Sequence, residues 1–145
     1  MKTNRRRASQ SGITLIEMLV VVTIIALFVG LVGVNVLKQG DKARITVART
    51  EIASLENALT LYKLDTGTFP STALGLAALN VKPEGAANWA GPYLAKDVPN
   101  DPWNRPYLYK YPGEHGEAPD LISLGADGQP GGEGYDADIV SWSNK

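Results

Sequence analysis

Apolar residues dominate the uncharged stretch from Met18 to Leu37, and then recur at every third or fourth position as far as Tyr62. The first stretch holds twenty residues rich in Val, Leu and Ile. As a helix rising about 1.5 Å per residue, that length crosses ~30 Å of hydrocarbon. In the second stretch Ile45, Ala48, Ile52, Leu55, Leu59 and Tyr62 draw one stripe along a helix. Arg44, Arg49, Glu51, Glu56 and Lys63 fall on its other faces. The pattern predicts one helix from about Thr14 to Leu64, ended by Thr66-Gly67, whose outer half lays the stripe on the rest of the chain. A two-stranded coiled coil is the other use for such a stripe, although only three heptads are available. Gly30 and Gly33 cost the helix about 1 kcal/mol each, and serve either flexibility or close helix packing.

Beyond Asp65 the periodicity stops. Nine prolines fall between Phe69 and Gly131, so the predicted elements are short. Ala73 to Leu79 reads as a helix, and Leu108 to Tyr111, Leu121 to Leu124 and Asp138 to Trp142 as strands. A small antiparallel sheet packed on the helix stripe gives an α+β fold. Trp89, Trp103 and Trp142 read as packing anchors that close a small core. The segment is small for an autonomous core and the chain has no cysteine, so a staple other than a disulfide is expected.

The net charge of −1 hides an asymmetry. Lys2, Arg5, Arg6 and Arg7 precede Gly12, whereas nine acids face three basic residues from Asp97 onward. This polarity argues against nucleic acid, which selects a basic face. The basic tip before the apolar run places the N-terminus in the cytoplasm and the rest of the chain across a membrane. A secretory signal has a shorter apolar core followed by a small-residue cleavage site. Here the small residues, Ser11-Gly12, come before the core.

Glu17 lies at the head of the apolar run. A carboxylate in a membrane-length segment is expensive, about 2.5–3.5 kcal/mol on insertion scales, so it predicts a partner.

The other chemistry lies near the C-terminus, where the chain reads S-L-G-A-D-G-Q-P-G-G-E-G-Y-D-A-D-I. Asp127, Glu133, Asp136 and Asp138 fall within twelve residues among glycines that let the backbone fold back. Such acids either remain solvated or gather round a hard cation, and calcium accepts the irregular oxygen set of a loop. Without His or Cys among them, zinc and copper are disfavoured. His115, Asp120 and Ser123 contain the ingredients of a triad, but so short a local segment does not build triad geometry, and His115 reads as an exposed loop residue.

The string S-G-I-T-L-I-E-M-L-V-V resembles the class III signal of type IV pilins and type II secretion pseudopilins. The elements Y-K-L-D-x-x-x-F-P, L-G-L-x-A-L, D-P-W-N-R-P-Y and S-L-G-A-D-G are similar to those of the type II major pseudopilins, the general secretion pathway protein G family. The resemblance implies a pilin-like organisation. Residues 1–12 are a leader peptide, 13–37 a transmembrane helix, 38–64 its amphipathic continuation, and 65–145 a periplasmic globular region with a calcium loop at 123–139. It implies that a prepilin peptidase cuts between Gly12 and Ile13 and N-methylates Ile13, where the family usually has Phe. Glu17 then matches the family's assembly glutamate. Calcium falls to the carboxylates of Asp127 and Asp138, the carbonyls of Leu124 and Gln129, and Asp136 as third carboxylate, leaving Glu133 in water. Val34 stands where relatives often have proline.

By the same resemblance the chain is no enzyme. It is a single-pass inner-membrane subunit that forms a helical homo-oligomer, a periplasmic pseudopilus driving export of folded proteins across the outer membrane. Its partners are the minor pseudopilins, the prepilin peptidase and the inner-membrane secretion platform. The alternative is the major subunit of a surface type IV pilus, a group that usually carries the C-terminal cysteine pair lacking here.

Overall fold

The computed structural model describes residues 12–144, except for the side chains of residues 30–39 and 144. The expected leader, apart from Gly12, and the side chains in the second half of the expected span therefore lie outside the described residues, Val34 among them. The chain divides into two units after Lys38.

In the first unit the chain enters helix α1 (Leu15–Thr66). Every described side chain from Ile13 to Val29 is exposed, Leu15 to 84% and Phe28 to 65%. A helix that is apolar all round and covers none of that surface needs lipid or other subunits round it. Among the described residues, no stretch is long and apolar enough to cross a membrane.

The second unit carries the later turns of α1 and the globular region. The predicted stripe is the spine of its core: Ala48, Ile52, Leu55, Leu59 and Tyr62 are buried, with Ala58 beside them and Ile45 packed at the margin. The helix ends where Gly67 donates its N–H to the Lys63 carbonyl at 2.8 Å. Three strands follow: β1 (Leu108–Lys110), β2 (Asp120–Ser123) and β3 (Ile139–Val140). They form one antiparallel sheet in the order β1-β2-β3, with Tyr109 opposite Leu121 and Ile122 opposite Val140. Leu55 and Leu59 are fully buried together with Leu79 and Leu121. Each such side chain contributes about 1.5–3 kcal/mol, so this cluster joins helix to sheet.

Polar ties fix the aromatic residues round that core. The Tyr107 hydroxyl donates to the Glu51 carboxylate of α1, and the Tyr109 hydroxyl to the Pro70 carbonyl. Trp89 donates its indole N–H to the Ala78 carbonyl at 2.9 Å, and both Trp89 and Trp103 pack on the core as expected. Trp142 does not. It stacks on His115, with ring centroids 3.6 Å apart and planes within 7°, in a 3₁₀ turn (Ser141–Asn144) that shortens the expected third strand. The expected helix at 73–79 is likewise a 3₁₀ turn, Gly75–Leu79.

Candidate functional site

At the head of α1, Gly12, Ile13 and Thr14 are exposed and precede the helix. The bond between Gly12 and Ile13 thus lies in accessible, non-helical backbone, as a peptidase requires. Thr14 starts the helix. Its Oγ1 accepts the Glu17 N–H at 3.3 Å, and its carbonyl accepts the N–H groups of Glu17 and Met18. Thr14 and Glu17 stand in the T-x-x-E spacing of a capping box, which puts an acid in the first turn. There the unpaired N–H groups and the positive end of the helix dipole favour a negative charge. Glu17 thus has a local reason for its position besides the one its place in an apolar run suggested. The capping spacing was readable in the sequence.

The acidic loop leaves β2 after Ser123 and returns to β3 at Ile139. Backbone hydrogen bonds across it close it. The Leu124 carbonyl accepts the Gly128 N–H at 3.1 Å. Farther on, the Gly131 carbonyl accepts the Asp138 N–H at 3.0 Å, and Asp138 Oδ2 accepts the Gly131 N–H at 2.9 Å. Asp127 folds back so that Oδ1 accepts the Gln129 N–H at 3.0 Å. Gly132 has φ +76°, and a β-carbon there would run into the Asp136 carbonyl group, so only glycine admits this approach.

The expected trio of carboxylates is not preassembled. Among the described residues no group of three or more His, Cys, Asp or Glu side chains gathers into a metal-holding cluster. Like charges repel, and Asp127 and Asp138 each turn to a backbone N–H of their own loop. Within the described loop, Asp138 Oδ1 is buried and has no hydrogen-bond partner. A buried acceptor-only oxygen is costly to leave unpaired, at roughly 1–3 kcal/mol, and it is the ligand type that calcium selects. The carboxylates and carbonyls of this loop therefore fit a hard divalent cation of irregular geometry.

Arg105, which nothing in the local pattern singled out, completes the loop from outside. Its guanidinium donates to the carbonyls of Gly125 at 3.1 Å and Ala126 at 2.7 Å. Gly128, at φ +70°, lies so close that a β-carbon would stand 2.6 Å from Arg105 Cζ. Arg105 is held in turn by Asp101, a buried carboxylate. Asp101 Oδ1 accepts the N–H groups of Trp103 and Arg105, and its Oδ2 accepts the Ser123 hydroxyl.

That last bond disposes of the triad. Ser123 is committed to Asp101, whereas His115 Nδ1 lies 2.9 Å from Asp120 Oδ2. His115 is an exposed loop residue, as expected, and it is partnered there, with its ring stacked on Trp142. Burial pushes the Asp120 carboxyl up, but the Glu114 amide and His115 outweigh it, and the group is held below its ordinary value.

Comparison with known proteins draws the two ends together. Residues 35–142 match the family described as Type II secretion system (T2SS), protein G, and residues 7–33 match the prokaryotic N-terminal methylation motif. The type II secretion system core protein G of Pseudomonas aeruginosa is 46% identical over 142 residues, covering 96% of this chain and 99% of that protein. Its counterpart in Vibrio cholerae is 43% identical over 141 residues, covering 96% of each chain. The fold is similar to the crystal structure of the major pseudopilin from the type 2 secretion system of enterohaemorrhagic Escherichia coli. The TM-score is 0.63 at 33% identity, over 75% of this chain and 95% of that one.

Proposed function

The chain belongs to the type II secretion system protein G family and is a major pseudopilin, and from that membership we propose how its two ends serve a filament. Prepilin peptidase cuts between Gly12 and Ile13 on the cytoplasmic side and N-methylates Ile13. The subunit waits in the inner membrane as a single-pass protein with its globular region in the periplasm. It then polymerises with copies of itself, joined by minor pseudopilins and driven by the inner-membrane platform, to move folded proteins across the outer membrane. Its role in this scheme is structural and not enzymatic.

The observation that carries this reading is the exposed apolar start of α1 with Glu17 in its first turn. Cutting after Gly12 creates an amine at Ile13, about one turn before Glu17. In the filament, Glu17 of one subunit neutralises the Ile13 amine of the next. The attraction is strong in a low-dielectric surrounding but offset by the desolvation of both charges. Its main effect is register: a subunit seated one turn out of place leaves two charges unpaired in an apolar interior. The apolar side chains exposed in the isolated subunit supply the area that association covers.

At the other end Asp127 and Asp138, the carbonyls of Leu124 and Gln129, and Asp136 as the further carboxylate hold calcium. The unmatched Asp138 Oδ1 supports this. Bound there, the cation neutralises the loop's acids and ties the end of β2 to the start of β3, the staple that a cysteine-free domain lacks. Asp136 moves in only when the cation offsets the repulsion.

N-terminal mass spectrometry of the membrane form tests the whole scheme. It is expected to show a chain starting at N-methylated Ile13; a chain that retains Met1, or one cut beyond residue 37, overturns it.

A further inference from the structure

We infer that Arg105 is the positioning residue of the acidic loop, setting the backbone from which the calcium-binding carboxylates depart while staying off the metal itself. The inference rests on the calcium reading above.

Three features of the structure lead there. First, the guanidinium spans two consecutive carbonyls, those of Gly125 and Ala126. A planar fork of donors does this with one side chain; a lysine ammonium does not. Secondly, a trans peptide is rigid, so fixing the Ala126 oxygen also fixes the N–H and Cα of Asp127 on its far side. The point from which the Asp127 side chain leaves the backbone is thereby set by a residue twenty-two positions earlier, and the Gln129 N–H turns the carboxylate from there. Thirdly, Arg105 is anchored at both ends. Asp101 accepts its backbone N–H at 2.8 Å, and its guanidinium lies against Gly128, in space that a β-carbon there would fill.

The same bonds decide which oxygens remain for a cation. The Gly125 and Ala126 carbonyls accept from a fixed positive charge, which disfavours a second cation at the same oxygens. The Leu124 carbonyl before them and the Asp127 carboxylate after them are not engaged by Arg105 and accept only backbone N–H groups of the loop. Arg105 thus divides the oxygens of the loop's first turn into one set for itself and one for calcium. A neutral replacement removes that division, and the loop then has to be ordered by the metal at the metal's cost in affinity. Residues that orient metal ligands without touching the metal typically contribute about 10–100-fold in affinity.

The test is calcium titration of the full chain in detergent, with free calcium set by a competing chelator, for the wild type and for R105Q and R105K. Melting in excess chelator, recorded alongside, separates loss of fold from loss of binding. R105Q is expected to weaken calcium binding by tenfold or more while it still melts cooperatively without metal, and R105K to recover only part of the loss. Equal affinity in R105Q, with stability lowered in chelator, makes Arg105 a mere fold contact and overturns the inference. So does tighter binding, which makes Arg105 only a competing charge. A wild type that binds no calcium sinks the calcium reading itself. If R105Q fails to melt cooperatively, R105K decides: an affinity equal to that of the wild type overturns the inference.

Discussion

The Ser123 hydroxyl donates to Asp101 Oδ2 at 2.6 Å, with both residues buried. This bond ties the last residue of β2 to the turn that delivers Arg105, and so links the central strand to the loop beyond it. Asp101 meets its charge with three donors on two oxygens, the N–H groups of Trp103 and Arg105 and this hydroxyl. Hydrogen bonds to a charged group are worth about 1.5–3 kcal/mol each, and a buried charge that loses one has no water to replace it.

Removal of either partner is therefore felt. S123A leaves one carboxylate oxygen short of a donor, with an expected loss of about 2 kcal/mol. D101A releases all three donors, and its loss is expected to be larger, at least about 3 kcal/mol. Urea unfolding of the full chain in detergent, followed by near-UV dichroism, measures both as shifts in midpoint. A midpoint unchanged in S123A contradicts the assignment.

Alkaline pH is expected to destabilise the domain. Burial raises the Tyr107 phenol, with the Glu51 carboxylate adding to it, and burial raises Tyr109 as well. Both native phenols hold their proton above the ordinary value of 10.0. The stability this brings is fully present below that pH and is lost progressively as pH climbs beyond it, because the unfolded chain then releases protons that the native one retains. Melting temperature recorded between pH 9 and 11 should fall through the upper part of this range, and less steeply in Y107F.

The Asp120 carboxyl works in the opposite sense. Its native value lies below the ordinary 3.8, so its contribution is present above that pH and lost as acid takes the solution below it. D120N is expected to flatten this acid limb of the stability profile. It should also loosen the stacked His115 and Trp142, which near-UV dichroism detects as a diminished tryptophan signal.

Chelation is expected to lower the melting temperature of the full chain, and added calcium to restore it. A ligand at one hundred times its dissociation constant stabilises by about 2.7 kcal/mol. D138N, which removes the charge from the loop's buried, unpartnered oxygen, should melt at the same temperature with and without calcium. A wild type indifferent to chelator removes the cation from the account.

E17A is expected to enter the membrane and be cut after Gly12, since neither step uses the carboxylate. Filaments should then fail to accumulate, as read by chemical cross-linking of neighbouring subunits. Normal cross-linked ladders in E17A deny Glu17 its part in assembly.

What the sequence by itself determined is whatever the chain repeats locally. A helix returns to the same face every 3.6 residues, so the stripe from Ile45 to Tyr62 announced both the helix and the side it buries. The position of Glu17 and the glycine-rich acidic loop were legible for the same reason, since each is a feature of adjacent residues. The strands were found to within a residue or two, but the sequence did not say how their ends would be bound. That fell to tertiary structure. Arg105 meets carbonyls twenty and twenty-one positions away, Asp101 meets Ser123 twenty-two away, and His115 lies against Trp142. None of these pairs has a period or a spacing rule. They arise because folding brings separate turns together, and a buried charge or donor left there without a partner costs more than the bond that meets it.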